Sequence, residues 1–337
     1  MDVTGRGLIV AIAAVALLGG ATAYGAVAFA QSRALPADDT STPMTSVEAG
    51  TIVFRQTGGG AKHGFVASVA VDDPAGPRAV STTPCDRVDA TTAGVVCLRA
   101  DLGISTTFET LFLDGRLDEV DRRPLAGIPS RTRLSPDGRL AATTSFITGH
   151  AYAGTDFSTS TVIVEVGSAP EVADSGELEL FPLRVDGALV TAADLNVWGV
   201  TFVDDRRFYA TAASGDHRWL VEGDLVDRTL TALRDDVECP SLSPDGTRIA
   251  FKQNRAGAGQ PDWALAVLDL RDGDVVVLPE PASVDDQAEW LDDDTLLYGR
   301  SRASAPGDTD VYEIAADATS GPGLLIEHAW SPAVVRS

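Results

Sequence analysis

The sequence predicts an all-β, six-bladed β-propeller, closed by its own C-terminal strand and preceded by one N-terminal transmembrane helix. Three observations point there. One hairpin is written twice in residue types, as RLSPDGRLAAT at 133–143 and SLSPDGTRIAF at 241–251, each with a glycine free to take positive φ at its turn. From Thr51 onward, short alternating runs separated by Gly, Asp and Pro turns leave no room for a helical period. The turns also recur at a spacing of about 40–50 residues, the length of a four-stranded blade.

Taken in order, the β-type runs are TIVFRQ (51–56), GFVASVAV (64–71), GVVCLRA (94–100), FETLFL (108–113), STVIVEV (160–166), RFYATAA (207–213), WLVEGDL (219–225), WALAVLDL (263–270), TLLYGRS (295–301) and DVYEIAA (310–316). The apolar residue before each turn aligns as Leu134, Phe202, Leu242, Trp290 and Trp330, with gaps of 68, 40, 48 and 40. A Gly-rich insertion at 148–158 accounts for the long gap. Residues 51–337 then form six blades of about 45–50 residues. The last repeat, HAWSPAVV (328–335), starts a blade that stops short, so its strand is expected to complete the first blade and remove the exposed sheet edges.

Before the propeller, residues 1–6 are a short flank and residues 7–30 carry no charge. At about 1.5 Å per residue that run spans a hydrocarbon core of roughly 30 Å. It reads as an uncleaved anchor, with a signal sequence cleaved after Ala30 as the alternative, because Ala28-Phe29-Ala30 fits an A-x-A pattern. Residues 31–50, rich in Pro, Ser, Thr, Asp and Ala, read as a flexible linker. The formal net charge is −23 and the only lysines are Lys62 and Lys252. Nucleic acid, which needs basic stripes, is therefore not an expected partner. Cys85 and Cys97 lie 12 apart across a turn, as Cys239 and Phe251 do. A shared register would make Cys85 and Cys97 face each other as a disulfide, which implies an oxidising compartment; two buried thiols are the alternative. Cys239 reads as a buried core residue.

With these repeats in view, the chain resembles the TolB-like β-propeller proteins. The similarity rests on GIPSRTRLSPDG (127–138), TGHAY (148–152), FSTST (157–161), VECPSLSPDGTRIAFK (237–252) and SVDDQAEWLDDDTLLYG (283–299), and covers nearly everything after the linker. The narrower likeness is to membrane-anchored or secreted members of bacterial cell envelopes. This resemblance implies the propeller fold and an extracytoplasmic location, and little about activity. TolB proper has a further N-terminal domain that engages lipoproteins, and the short linker leaves no room for one, so a role in the Tol system does not carry over.

Catalytic motifs are hard to find. No G-x-S-x-G elbow occurs and no hydrolase domain follows. The four histidines, His63, His150, His217 and His328, are scattered, with no H-E-x-x-H. Acidic pairs such as Asp204-Asp205 and the run Asp292-Asp293-Asp294 read as hydrated turns, with no calcium loop among them. No metal or other cofactor is expected. The propeller geometry places the first residues of each inner strand at one channel mouth. There the alignment puts Asp86, Arg87, Arg131, Arg133, Trp198, Glu238, Asp285, Asp286 and Gln287. An aromatic and both signs of charge around one funnel suit a ligand; the same charges would equally suit a network that only holds the blades together. The expected function is non-catalytic binding of an envelope protein, peptide or glycan. Alternatives are a lyase or hydrolase using Arg131, Glu238 and Asp286, and a structural or assembly factor of the envelope.

Overall fold

Both SPDG hairpins close by the same local chemistry. The serine hydroxyl, Ser135 or Ser243, donates to the aspartate two residues on and accepts the backbone N–H five residues on. Proline fixes φ at the first central position, and the closing glycine, Gly138 or Gly246, sits at φ +72° or +71°. The turn therefore centres on Pro-Asp, with glycine after it, rather than on a two-residue Asp-Gly loop. In the computed structural model, which describes residues 41–103, 105–147, 158–167, 174–256 and 261–336, these hairpins begin the third and fifth of six β-sheets.

The inner strands of the six sheets are Ala329–Val335, Arg87–Thr91, Ile128–Leu134, Asn196–Phe202, Glu238–Leu242 and Glu289–Trp290. Each touches the next, and the last returns to the first, so the sheets stand as blades of one closed ring. Outward from each, antiparallel partners complete the blade; in blade 5 these are Arg248–Asn254, Trp263–Asp269 and Val275–Val277. Closure is as expected. The C-terminal strand pairs antiparallel with Thr51–Gln56, from Thr51 opposite Val335 to Gln56 opposite Ala329.

Four details differ from the sequence reading. The residue equivalent to Leu242 and Trp290 in the closing strand is Val334, because Trp330 stands at that strand's beginning, opposite Arg55. The long gap of 68 residues does not come from the 148–158 loop alone. After a 3-10 turn at Leu178–Leu180, the chain adds a hairpin, Leu183–Val185 with Ala188–Val190, to the outer edge of blade 4, where Leu183 pairs in parallel with Leu230. The end of the proposed linker is docked rather than free: Thr42–Pro43 pairs with Ala79–Val80, and Met44 and Val47 are buried beside Val88. The disulfide Cys85–Cys97 is formed, with Cα atoms 5.5 Å apart, but the two residues are not opposite in register. Cys97 pairs with Val88, because this hairpin turns between Thr91 and Gly94 and is shorter than the SPDG loop.

Among the described residues no helix is long and apolar enough to cross a membrane. The anchor segment 7–30, the first part of the linker, TGHAY and His150 lie outside them.

Polar groups join neighbouring blades as well as apolar ones. Glu179, on the connection from blade 3 to blade 4, accepts the N–H groups of Thr161 and Val197 and the hydroxyl of Thr159. Burial pushes its carboxyl up to about 7. A carboxyl whose pKa is higher folded than unfolded binds protons more readily in the folded state, so its contribution is complete below about 4.5 and is lost as pH rises through 7. The stability advantage of the wild type over Glu179→Gln is accordingly expected to shrink between pH 5 and pH 8, read as the difference between their thermal midpoints across that range. A constant difference would contradict this assignment.

Candidate binding site at the channel mouths

The inner strands carry side chains in tiers down the channel. At the upper mouth, where the strands begin, equivalent positions hold Trp330, Asp86, Ser130, Trp198, Glu238 and Asp286. The next positions hold Ser331, Arg87, Arg131, Gly199, Cys239 and Gln287. Six of the nine residues expected at the mouth carry or border its charge, and each of the six forms an ion pair with a neighbouring or facing blade. Arg87 of blade 2 lies 3.3 Å from Asp286 of blade 6 and covers the Trp330 ring at 4.9 Å. Asp286 is only 3% exposed and also accepts the Gly299 N–H at 3.0 Å. Arg131 of blade 3 lies 3.8 Å from Asp285, whose carboxylate also takes Lys252 of blade 5. Glu238 is held between Arg218 at 2.6 Å and Lys252 at 3.6 Å. Asp86 accepts the Ala100 N–H and lies 3.9 Å from Arg55.

The electrostatics follow from burial and crowding. Burial, followed by the neighbouring Arg131 charge, brings the Arg87 guanidinium down to about 10 despite Asp286. Burial raises the Glu238 carboxyl against the pull of Lys252 and Arg218. Protein atoms crowded around Asp285 push its carboxyl in the same direction, yet Lys252, together with Arg131 and Arg87, outweighs them and holds it below its ordinary value. The Asp285 side chain is 67% exposed, so it presents a solvent-facing carboxylate above a buried frame.

Three expected residues serve elsewhere. Trp198 is buried with Ala213 and Cys239. The Gln287 amide donates to the carbonyls of Pro240 and Val200, stitching blade 6 to blades 5 and 4. Arg133 stands one tier deeper, near the lower mouth, paired with Glu289 and 3.8 Å from Asp89. Two residues along a strand point to the same face but lie about 6–7 Å further down the channel, so Arg131 and Arg133 share a wall and not a mouth. Sequence reasoning missed Lys252, Arg55 and Arg218. Lys252 was hidden by register: an unbroken ladder from the Leu242–Ile249 pair would set it opposite Cys239, and a bulge brings it opposite Glu238 instead.

Each mouth has an open space beside it. Next to the upper mouth, between blades 6 and 1, a groove of about 730 Å³ is bordered by Asp285, Arg300, Ser304, Tyr312, Glu327 and Trp330. The Arg300 guanidinium lies over the Tyr312 ring at 3.7 Å. At the lower mouth, a cavity of about 490 Å³ is walled by residues of all six blades. Among the described residues no group of acidic, His or Cys side chains is arranged to hold a metal ion. His63, His217 and His328 are apart: His63 contacts the Thr57 carbonyl, His217 stacks on Trp219, and His328 contacts Asp308.

No protein-family model matches the chain, and neither does any curated protein sequence. Solved structures do. TolB from Acinetobacter baumannii superposes with a TM-score of 0.57 at 16% identity, over 84% of this chain and 66% of that one. This chain thus spans just under two thirds of its length. A putative TolB from Agrobacterium tumefaciens gives 0.52 at 13% identity over 82% and 88% of the two chains. A chain of a nidogen/laminin complex gives 0.53 at 12% identity over 84% and 98%. Likeness at such identities is a statement about fold, because one propeller scaffold carries many functions. The closed ring, its repeated SPDG hairpins and these superpositions together identify the fold as a six-bladed β-propeller similar to that of TolB.

Proposed function

We propose that this propeller is a non-catalytic interaction module, held on the extracytoplasmic side of the cell membrane by the apolar segment 7–30, and that an envelope protein, peptide or glycan seats on its upper mouth. One observation carries the reading. The mouth combines a largely buried, paired frame with a solvent-facing carboxylate, Asp285, beside a groove large enough for a side chain or sugar. Rigid, pre-paired charge of this kind orients a partner at little entropic cost. The carboxylates that an enzymatic reading would use, Glu238 and Asp286, are paired with cations and almost fully buried, a poor position for proton exchange with substrate. The Cys85–Cys97 disulfide supports a location outside the cytoplasm.

The test is affinity capture from detergent-solubilised membranes with the wild type, Asp285→Asn and Ser304→Trp, the last placing a bulky ring in the groove from an exposed position. Both variants are expected to lose the proteins or glycans retained by the wild type, while their melting points move by no more than a few degrees. Retention of every wild-type partner by both variants would contradict this assignment.

A further inference from the structure

A second cavity opens at the lower mouth, at the opposite end of the channel from the proposed docking face and built from different residues. Its tier lies one residue before the last apolar position of each inner strand, where Asp89, Arg133, Thr201, Ser241, Glu289 and Ala333 meet. Arg133 sits between two carboxylates, paired with Glu289 and 3.8 Å from Asp89, and Arg336 reaches the other oxygen of Glu289 at 3.1 Å. The Nε–H of Arg133 is buried and has no hydrogen-bond partner among the described residues. Asp89 accepts the Leu134 N–H, which joins blade 2 to blade 3. The cavity above this floor holds about 490 Å³ and is open to solvent between the SPDG turns.

Charge bookkeeping narrows the occupant. Two guanidiniums face two carboxylates, so the floor has no excess of either sign. Asp245, the remaining charged group on the wall, has its oxygens taken by Ser243 and Thr247. An anion would have to displace Glu289 or Asp89 from Arg133, and a cation would meet two guanidiniums first. A purely apolar ligand would strip water from four charged groups and return nothing. What fits is an uncharged molecule bearing many hydroxyls, each of which can accept from a guanidinium and donate to a spare carboxylate lone pair. The walls suit the other face of such a molecule. Pro136, Pro244, Leu134 and Val334 present apolar surface, and Tyr209 brings a phenol. Burial holds that phenol above its ordinary pKa, so it keeps its proton and can donate.

We propose that the cavity at the SPDG mouth binds a neutral sugar of one or two rings, its hydroxyls meeting Arg133, Asp89 and Glu289 and its C–H faces resting on the turn prolines. This is independent of the upper mouth: a partner captured through Asp285 would neither require nor exclude it.

The experiment is saturation-transfer NMR on the full chain in a sugar-free detergent such as an alkyl dimethylamine oxide, since a maltoside headgroup would compete. The probes are D-glucose, N-acetyl-D-glucosamine and trehalose, compared with glucuronate as the anionic and glucosamine as the cationic ring. At least one neutral sugar is expected to receive saturation, with signals at least fivefold weaker for both charged rings. Thr92→Trp, which fills the mouth from an exposed turn, is expected to abolish transfer, and Tyr209→Phe to weaken binding at least threefold. Neither touches the Arg133 cluster, and unchanged melting curves verify folding. No transfer to any of the three neutral sugars would overturn the proposal, as would transfer that survives Thr92→Trp or favours a charged ring.

Discussion

Ending the chain after His328 is expected to abolish cooperative unfolding altogether, not merely to lower its midpoint. The lost strand, Ala329–Val335, is the inner strand of blade 1 and the wall between blades 6 and 2. Without it, Thr51–Gln56 becomes an unpaired edge, and two apolar clusters lose members: Ala333 and Val335 from the one around Val53 and Val88, Ala329 and Val334 from the one around Ile52 and Phe54. Ring closure is shared by every blade, so the loss is comparable with the whole stability of an ordinary domain, about 5–15 kcal/mol. Calorimetry of the truncated chain should show no cooperative peak. A synthetic peptide covering 323–337 should restore one, because the missing piece is a strand with a waiting partner. A truncated chain melting within a few degrees of the wild type would show that the ring does not depend on this strand.

Asp286→Ala is expected to cost about 3–5 kcal/mol, the usual penalty for stranding one member of a buried ion pair. The substitution leaves Arg87 without its counter-charge, next to Arg131, and removes the acceptor of the Gly299 N–H. Gly299 cannot adjust by gaining bulk, since an added Cβ would meet the Trp330 ring at 2.2 Å. The melting midpoint should fall by roughly 10 °C. Adding Arg87→Met should recover more than half of that, because taking out both charges removes the unpaired guanidinium as well. Equal stability of the single and double variants would mean that the pair is not what holds blades 2 and 6 together. Asp285, one residue earlier and largely exposed, provides the contrast: its loss is expected to move the melting point by no more than a few degrees.

How much of this was legible in the residues depends on range. Blades were readable because hairpin turns and alternation are local: the strands Thr51–Gln56 and Thr295–Ser301 fall where their sequences place them, and Asp-rich turns such as Asp204 fold back onto their own N–H groups, here those of Arg206 and Arg207. Closure was readable too, since an unfinished repeat at one end and a headless one at the other have one economical solution. Register was less so. Trp330 mimics the turn-proximal residue because Ser-Pro follows it, yet no Asp-Gly completes the turn, and Ser331 at φ +54° makes a bulge instead. Cys239 at +51° and Gly199 at +66° occupy the same place in blades 5 and 4. That bulge is set by packing against neighbouring strands, and nothing in the residue types announces it. For the same reason the mouth residues were found as a group while Arg133 was put at the wrong depth, since an alternating strand shows which face a side chain takes but not how far down the channel it stands. The disulfide was anticipated although its register was not: equal spacing across the two hairpins coincided with unequal loops.

Six sheets share one ring through the last strand, and hydrogen exchange on the intact chain tests that most directly. Slow amides in Ala329–Val335 and in Thr51–Gln56 should exchange together, at the rate of global unfolding, with the same protection as Ile249 and Phe251 in blade 5. Exchange of Ala329–Val335 through a separate, much cheaper opening would contradict the account.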